Sequence, residues 1–194
     1  LHDALPILIF GLVTYATKGV SFGAIDPSIP KMIIPRLNGF PTIILWAIAA
    51  IVIVWFIWNK TTFGKNLYAV GGNPEAASVS GISVFWVTMG AFILAGILYG
   101  FGSWLECARM VGSGSAAYGQ GWEMDAIAAC VVGGVSFTGG IGKISGVVVG
   151  VLIFTVLIYS LTILGIDTNL QFVFEGIIII TAVTLDCLKY VQKK

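Results

Sequence analysis

Charge is what this sequence has least of. Ten Lys and Arg and nine Asp and Glu make up 10% of the 194 residues, where a soluble domain carries about a quarter. With 58% hydrophobic residues and a mean hydropathy of +1.00, an ordinary water-soluble domain is excluded. Histidine is nearly absent, His2 standing alone, and Cys107, Cys130 and Cys187 lie far apart. No zinc or haem ligand set can be assembled from that spacing, and a cysteine in or beside an apolar segment reads as a small buried hydrophobe. A GxxxxGK[ST] phosphate loop is missing, as is any grouping of nucleophile, base and orienting residue. The chain therefore offers no nucleotide site, no cofactor site and no enzyme chemistry of its own. A net charge of +1 gives no general attraction to nucleic acid.

What is present is apolar length. Positions 37–59, 84–105, 126–142 and 144–166 contain no Asp, Glu, Lys, Arg or His, and about 20 apolar residues cross a bilayer as a helix. A fifth segment, Leu170 to Leu185, holds one internal acid, Glu175. A sixth, Leu8 to Thr17, is short enough to be the tail of a helix begun upstream. The expected fold is an all-α, polytopic transmembrane bundle of about five full spans plus a partial N-terminal one. The first seven residues, LHDALPI, have no initiator Met, basic n-region or apolar h-region. They resemble translated adapter sequence, and the other reading is a membrane-entry segment. Residues 8–194 then form part of a single transmembrane domain, with no soluble domain and no repeat.

Sidedness follows from the basic residues. With the polar stretch GKNLYAVGGNPEAASVSGIS facing the cytoplasm, Lys60, Lys65, Lys143, Lys189, Lys193 and Lys194 fall inside and Lys18, Lys31, Arg36 and Arg109 outside, as the positive-inside rule favours. Gly19 to Phe40, with Pro27, Pro30, Pro35 and Asn38, reads as an external loop. A span from Pro41 to Trp58 leads to the inner loop, Val84 to Leu105 returns outward, and Ala126 to about Thr138 heads inward. That last piece is short and broken at Gly133-Gly134, as helices packed in protein or lining a cavity can be. After the turn GGIGK, Ile144 to Leu164 goes out and Leu170 to Leu185 comes back, leaving the C-terminus cytoplasmic. Gly142, Gly146 and Gly150 stand four apart, as do Gly96 and Gly100, so each set is expected on one helix face where another backbone can approach closely.

Within the inner loop, Gly72 permits a tight turn, Asn73 reads as an N-cap, Pro74 as the first helical residue, and Glu75 lies near the positive end of the helix dipole. EAASVS then forms one or two turns and Gly81 ends them. The stretch is either a plain connection or, being longer than a connection needs, a short cytoplasmic helix that docks a partner.

NKTTFGKNLYAVGGNPEAASVSGI resembles the cytoplasmic loop of the sugar-importing ABC permeases of the ribose/galactose type, and EMDAIAACVVGGVSFTGGIGKISGVVVGVLIF resembles their second signature block. The ending FEGIIIITAVTLDCLKYVQKK is similar to the galactose/methyl-galactoside branch. The likeness runs from about Leu8 to Lys194, and the family's earlier helices are missing, so the chain resembles the C-terminal part of a permease. The resemblance implies a homodimer of permease chains in the bacterial inner membrane, a periplasmic sugar-binding protein outside, and a cytoplasmic ATPase that binds ATP and Mg. The inner loop becomes the ATPase-coupling site, assigned to Lys65, Gly71, Gly72, Asn73, Pro74, Glu75, Ala76, Ala77, Ser80 and Gly81.

Outside, Glu106, Arg109, Glu123 and Asp125 flank a small Gly/Ser-rich segment. They are candidates either for the binding-protein dock and translocation mouth or for an interfacial anchor or structural ion pair. Glu175 is expected either near the external interface or facing the pore. A sugar path needs hydroxyls, amides and flat aromatic faces, for which Ser136, Thr138, Tyr118, Trp122, Asn169 and Gln171 are candidates; the aromatics equally suit belt or core positions. Other substrates of the same permease type, ribose, another sugar or a nucleoside, remain open. An ion-coupled secondary transporter is the rival from another class, kept in view by Glu175 and the Gly133-Gly134 break.

Overall fold

The computed structural model describes residues 4–21, 26, 28–37, 39–110, 114–115 and 118–191. Asn38, Pro27, Lys193 and Lys194 of the sequence argument lie outside them. Nine helices and one short hairpin occur among the described residues: α1 Ala4–Thr17, α2 Ser28–Ile33, β1 Arg36–Leu37, β2 Phe40–Pro41, α3 Ile43–Lys60, α4 Thr62–Gly72, α5 Pro74–Val79, α6 Val84–Arg109, α7 Trp122–Val132, α8 Ile144–Ile163 and α9 Thr168–Val191. The chain divides into two compact units, Leu1–Ala50 with Phe92–Gln120 and Ile51–Ala91 with Gly121–Lys194.

In the first unit the expected external loop contains structure. Asp26 accepts from Ser28 N at 2.9 Å and from Ser28 Oγ at 2.6 Å, bonds that hold its carboxyl below the usual carboxylate range, and α2 starts there. Pro30 sits in the first turn of α2, where its missing N–H costs nothing. Arg36 pairs with Pro41 and Leu37 with Phe40. Thr42 Oγ1 then donates to Pro35 O at 2.7 Å and Trp46 Nε1 to Ile33 O at 3.2 Å, tying the start of α3 to this connection. Trp46 also meets Phe101 and Trp104 edge-on, with centroids 6.0 and 6.1 Å away. α1 runs across Ile7 without a break.

The second unit is built on α7, α8 and α9. Ala128, Ala129 and Phe154 form its core, with Ile158, Ile178 and Ile179 packed against them. Small residues bring backbones together here, as in membrane helix pairs generally. A Cβ on Gly133 would lie 2.5 Å from Gly146 O, and one on Gly150 would strike Ala129 O and approach Gly133 N to 2.6 Å. Gly142 is not on that helix face, because α8 begins only at Ile144. It meets the Val135 side chain instead. Beside Gly96, Gly100 and Gly134 a Cβ would find nothing among the described residues within 4 Å, so no close packing is seen there.

Among the described residues, α3, α6 and α8 are long and apolar enough to cross a membrane, while the apolar stretches Ile7–Thr17 and Thr168–Thr181 are shorter. The expectation of a span over 126–138 meets a helix of 11 residues that stops at Gly133. At 1.5 Å per residue it reaches about 16 Å, half a hydrocarbon core. Gly134, at φ +82°, closes it in a left-handed turn, with Val135 N donating to Cys130 O at 3.0 Å.

Candidate functional site: a capped helix and its cradle

The chemistry of α5 is local. Asn73 Oδ1 accepts from Ala76 N at 3.0 Å, Pro74 opens the helix and Glu75 lies in the first turn. At the other end Gly81, at φ +83°, donates to Ser78 O and Ile82 donates to Ala77 O, both at 3.0 Å. This is a Schellman closure, and Ser80 Oγ adds a bond to Ala76 O at 2.8 Å. Six residues therefore hold a helix that their length alone could not sustain.

Burial gives the helix two sides. Ala77 is turned into the protein at 4% exposure, whereas Val79 stands 91% exposed, with Glu75, Ala76, Ser78 and Ser80 exposed beside it. Ala77 thus seats α5 on its own chain and is not available to a partner. Val79, which sequence reasoning passed over, is the apolar point of the outer face. The only sequence signal for it was a β-branched residue amid small polar ones.

α4 was not foreseen. Thr61 caps it, accepting from Gly64 N at 3.3 Å and donating to Ile57 O at 2.6 Å, and Asn73 N closes it on Ala69 O at 3.0 Å. Phe63 lies against Gly90, where a Cβ would come within 2.7 Å of the ring. At the far end Gly71 and Gly72 meet the backbone of Gly139 and Gly140. A Cβ on Gly71 would be 2.7 Å from Gly140 N, and one on Gly140 would be 2.6 Å from Gly72 Cα. Gly139 and Gly140 have φ of +90° and +69°, a conformation that favours glycine in its own right. One turn back, the Tyr68 hydroxyl donates to Gly142 O at 2.6 Å. Lys65 is exposed. A cavity of about 600 Å³ opens beside this cradle, lined among others by Trp55, Asn59, Tyr68, Gly134, Lys143 and Ser145.

Ser136 and Thr138 belong to the same turn. Their hydroxyls lie 2.8 Å apart and Ser136 N donates to Ile141 O at 3.0 Å. Both therefore shape the turn that receives α4. Asn169 and Gln171 serve the α8–α9 connection: Asn169 donates from N and Nδ2 to Asp167 Oδ1, each at 2.8 Å, and Gln171 Nε2 donates to Ile166 O at 2.9 Å.

The expected outer cluster is split between the two units. In the first, Arg109 grips Glu106 through Nε, at 2.8 Å, and through its second guanidinium arm, and the Tyr118 hydroxyl also donates to Glu106. The carboxylate holds the Tyr118 proton and raises the phenol above its ordinary range. In the second, Trp122 and Glu123 are exposed at the start of α7 and Asp125 is half-buried. Glu175 is 5% exposed, turned onto α7 within reach of Asp125, and its Oε1 has no hydrogen-bond partner among the described residues.

Residues 5–183 match the family described as "Branched-chain amino acid transport system / permease component". The chain belongs to this family. With its apolar helices, that membership makes it an integral membrane protein of the bacterial inner membrane. The chain is 54% identical to the galactose/methyl galactoside import permease protein MglC of Treponema pallidum, over 98% of its own length and 37% of that protein's. Identity to the protein of the same name from Escherichia coli is 53%, over 78% of this chain and 45% of the relative. The L-arabinose transport system permease protein AraH of Escherichia coli is 37% identical over 96% of this chain and 56% of its own. Against the galactoside permeases the chain spans less than half of their length. No solved structure matches it.

Proposed function

We propose that this chain is the C-terminal part of the membrane-spanning subunit of an ATP-driven, binding-protein-dependent sugar importer, with galactose and methyl galactoside as its substrates. The observation that carries the reading is the 54% identity, along nearly the whole chain, to a permease whose name states that substrate. Permeases named for arabinose, ribose and xylose stand at 37 to 41%. The family description mentions branched-chain amino acids, whereas the relatives cited above are all named as sugar permeases. In this reading the subunit pairs with a second copy, receives sugar from a periplasmic binding protein and is driven by a cytoplasmic ATPase that holds ATP and Mg²⁺. The inner loop and the C-terminus face the cytoplasm.

α5 is the surface the ATPase grips. It is capped at both ends, seated by Ala77 and exposed at Val79. The exposed apolar contact contributes more than the rim charges Lys65 and Glu75, since solvent-exposed ion pairs yield about 0–1 kcal/mol.

The complete reading frame, reconstituted in proteoliposomes with the ATPase and binding protein, tests the proposal through uptake of labelled methyl galactoside. ATP-dependent uptake, competed by galactose but weakly by ribose, arabinose or xylose, is expected. Uptake that runs on an ion gradient without ATP would reveal a secondary transporter, and preference for a pentose would overturn the substrate.

A further inference from the structure

We propose that α4 is a lever that carries a push on α5 to the α7–α8 hairpin, gripping it at the Gly71–Gly140 backbone contact and the Tyr68–Gly142 hydrogen bond. This rests on the reading of α5 as the ATPase contact and assigns the residues through which that contact acts on the membrane helices.

Asn73 makes α4 and α5 move together. Its N–H ends α4 on Ala69 O while its side chain begins α5 on Ala76 N, both at 3.0 Å. A displacement of α5 therefore reaches the last turn of α4 directly. From there it meets backbone. Gly71, Gly139 and Gly140 leave no room for a Cβ between the two segments, so no flexible side chain absorbs the movement; packed backbone transmits strain where rotamers would relax it. Tyr68, three residues before Gly71 and so on the same helix face, fixes the direction through its 2.6 Å bond to Gly142 O. Gly142 precedes Lys143, the N-cap of α8. Beyond it, α7 and α8 are joined by the Gly133–Gly146 and Gly150–Ala129 contacts, and the hairpin responds as one piece.

The near end of α4 is anchored. Phe63 rests in the notch at Gly90, and Gly64 lies against Trp58 O so closely that a Cβ there would overlap the carbonyl. A helix pinned at one end, pushed at the other and in backbone contact with its load has the parts of a lever. Tyr68 and the glycines are positioning residues; none of them is asked to touch sugar or nucleotide.

The test uses the full-length permease assembled with its ATPase and binding protein in proteoliposomes, comparing Tyr68→Phe and Gly71→Ala with the parent. Tyr68→Phe removes only the hydroxyl. Sugar moved per ATP hydrolysed should fall about fivefold, the size expected for one lost hydrogen bond, and stimulation of ATPase by sugar-loaded binding protein should fall with it. The ATPase rate without binding protein should stay at the parental value and the melting temperature in detergent should fall by no more than about a few degrees, whereas a merely structural role would lower basal hydrolysis together with transport. Gly71→Ala should be more severe; should it fail to assemble, Tyr68→Phe alone decides. A parental transport-to-ATP ratio in Tyr68→Phe overturns the lever. On the same proteins, Val79→Cys crosslinking to the ATPase separates the two failures. Crosslinking with an unchanged ratio sinks the lever alone, whereas absence of crosslinking removes the reading of α5 and the lever with it.

Discussion

At Asn73 the main chain closes α4 and the side chain opens α5, so a single substitution should loosen both. Replacing an Asn cap by Ala costs about 1 kcal/mol of helix stability. Asn73→Ala should therefore speed hydrogen exchange at Ala76, Ala77 and Ile82 by about fivefold while leaving α8 protected, as read by mass spectrometry. The role of this residue was legible because capping is chemistry between neighbours, and Asn73, Pro74 and Gly81 carry it in their own side chains and backbone freedom. Ala77 and Val79 were not legible. A helix of six residues has too few turns for its apolar pattern to show which face turns inward, and Ala76, three residues before Val79, is too small to mark an apolar stripe. The sequence allows Glu175 at either the interface or the pore; in the fold it is buried, with Asp125 of α7 within reach.

Among the elements, the long apolar runs at α3, α6 and α8 were readable to within a few residues, since helices there need only length and hydropathy. α4 was hidden for a physical reason: glycine disfavours a helix interior, yet close backbone contacts that a sequence does not display demand Gly64 and Gly71, and Gly72 lies beside one. The same holds in reverse for Gly96 and Gly100, whose spacing suggested packing where the described residues leave open space. That contrast gives a paired prediction. Gly150→Val drives a side chain into Ala129 O and the Gly133 backbone and should cost roughly 1–3 kcal/mol through overpacking, lowering the melting temperature in detergent. Gly96→Ala, with nothing within 4 Å of its Cβ, should leave that temperature within error and serves as the control.

For the whole molecule, the balance of terms is that of a membrane protein. Among the described residues most large apolar side chains are exposed, and the buried hydrophobic residues are alanines with Val87, Leu105 and Phe154, so lipid and other protein take the place of a self-sufficient interior. The chain spans 37% and 45% of the two galactoside permeases. In the proposed importer the chain supplies α4 and α5, held by glycine on the turn between α7 and α8. The most direct measurement is the accessibility of Val79→Cys to a membrane-impermeant maleimide, in the full-length protein with its native cysteines replaced. Labelling confined to inverted vesicles and blocked when the ATPase is bound is the predicted result; labelling from the outside of intact cells, or labelling that the ATPase leaves untouched, would contradict the account.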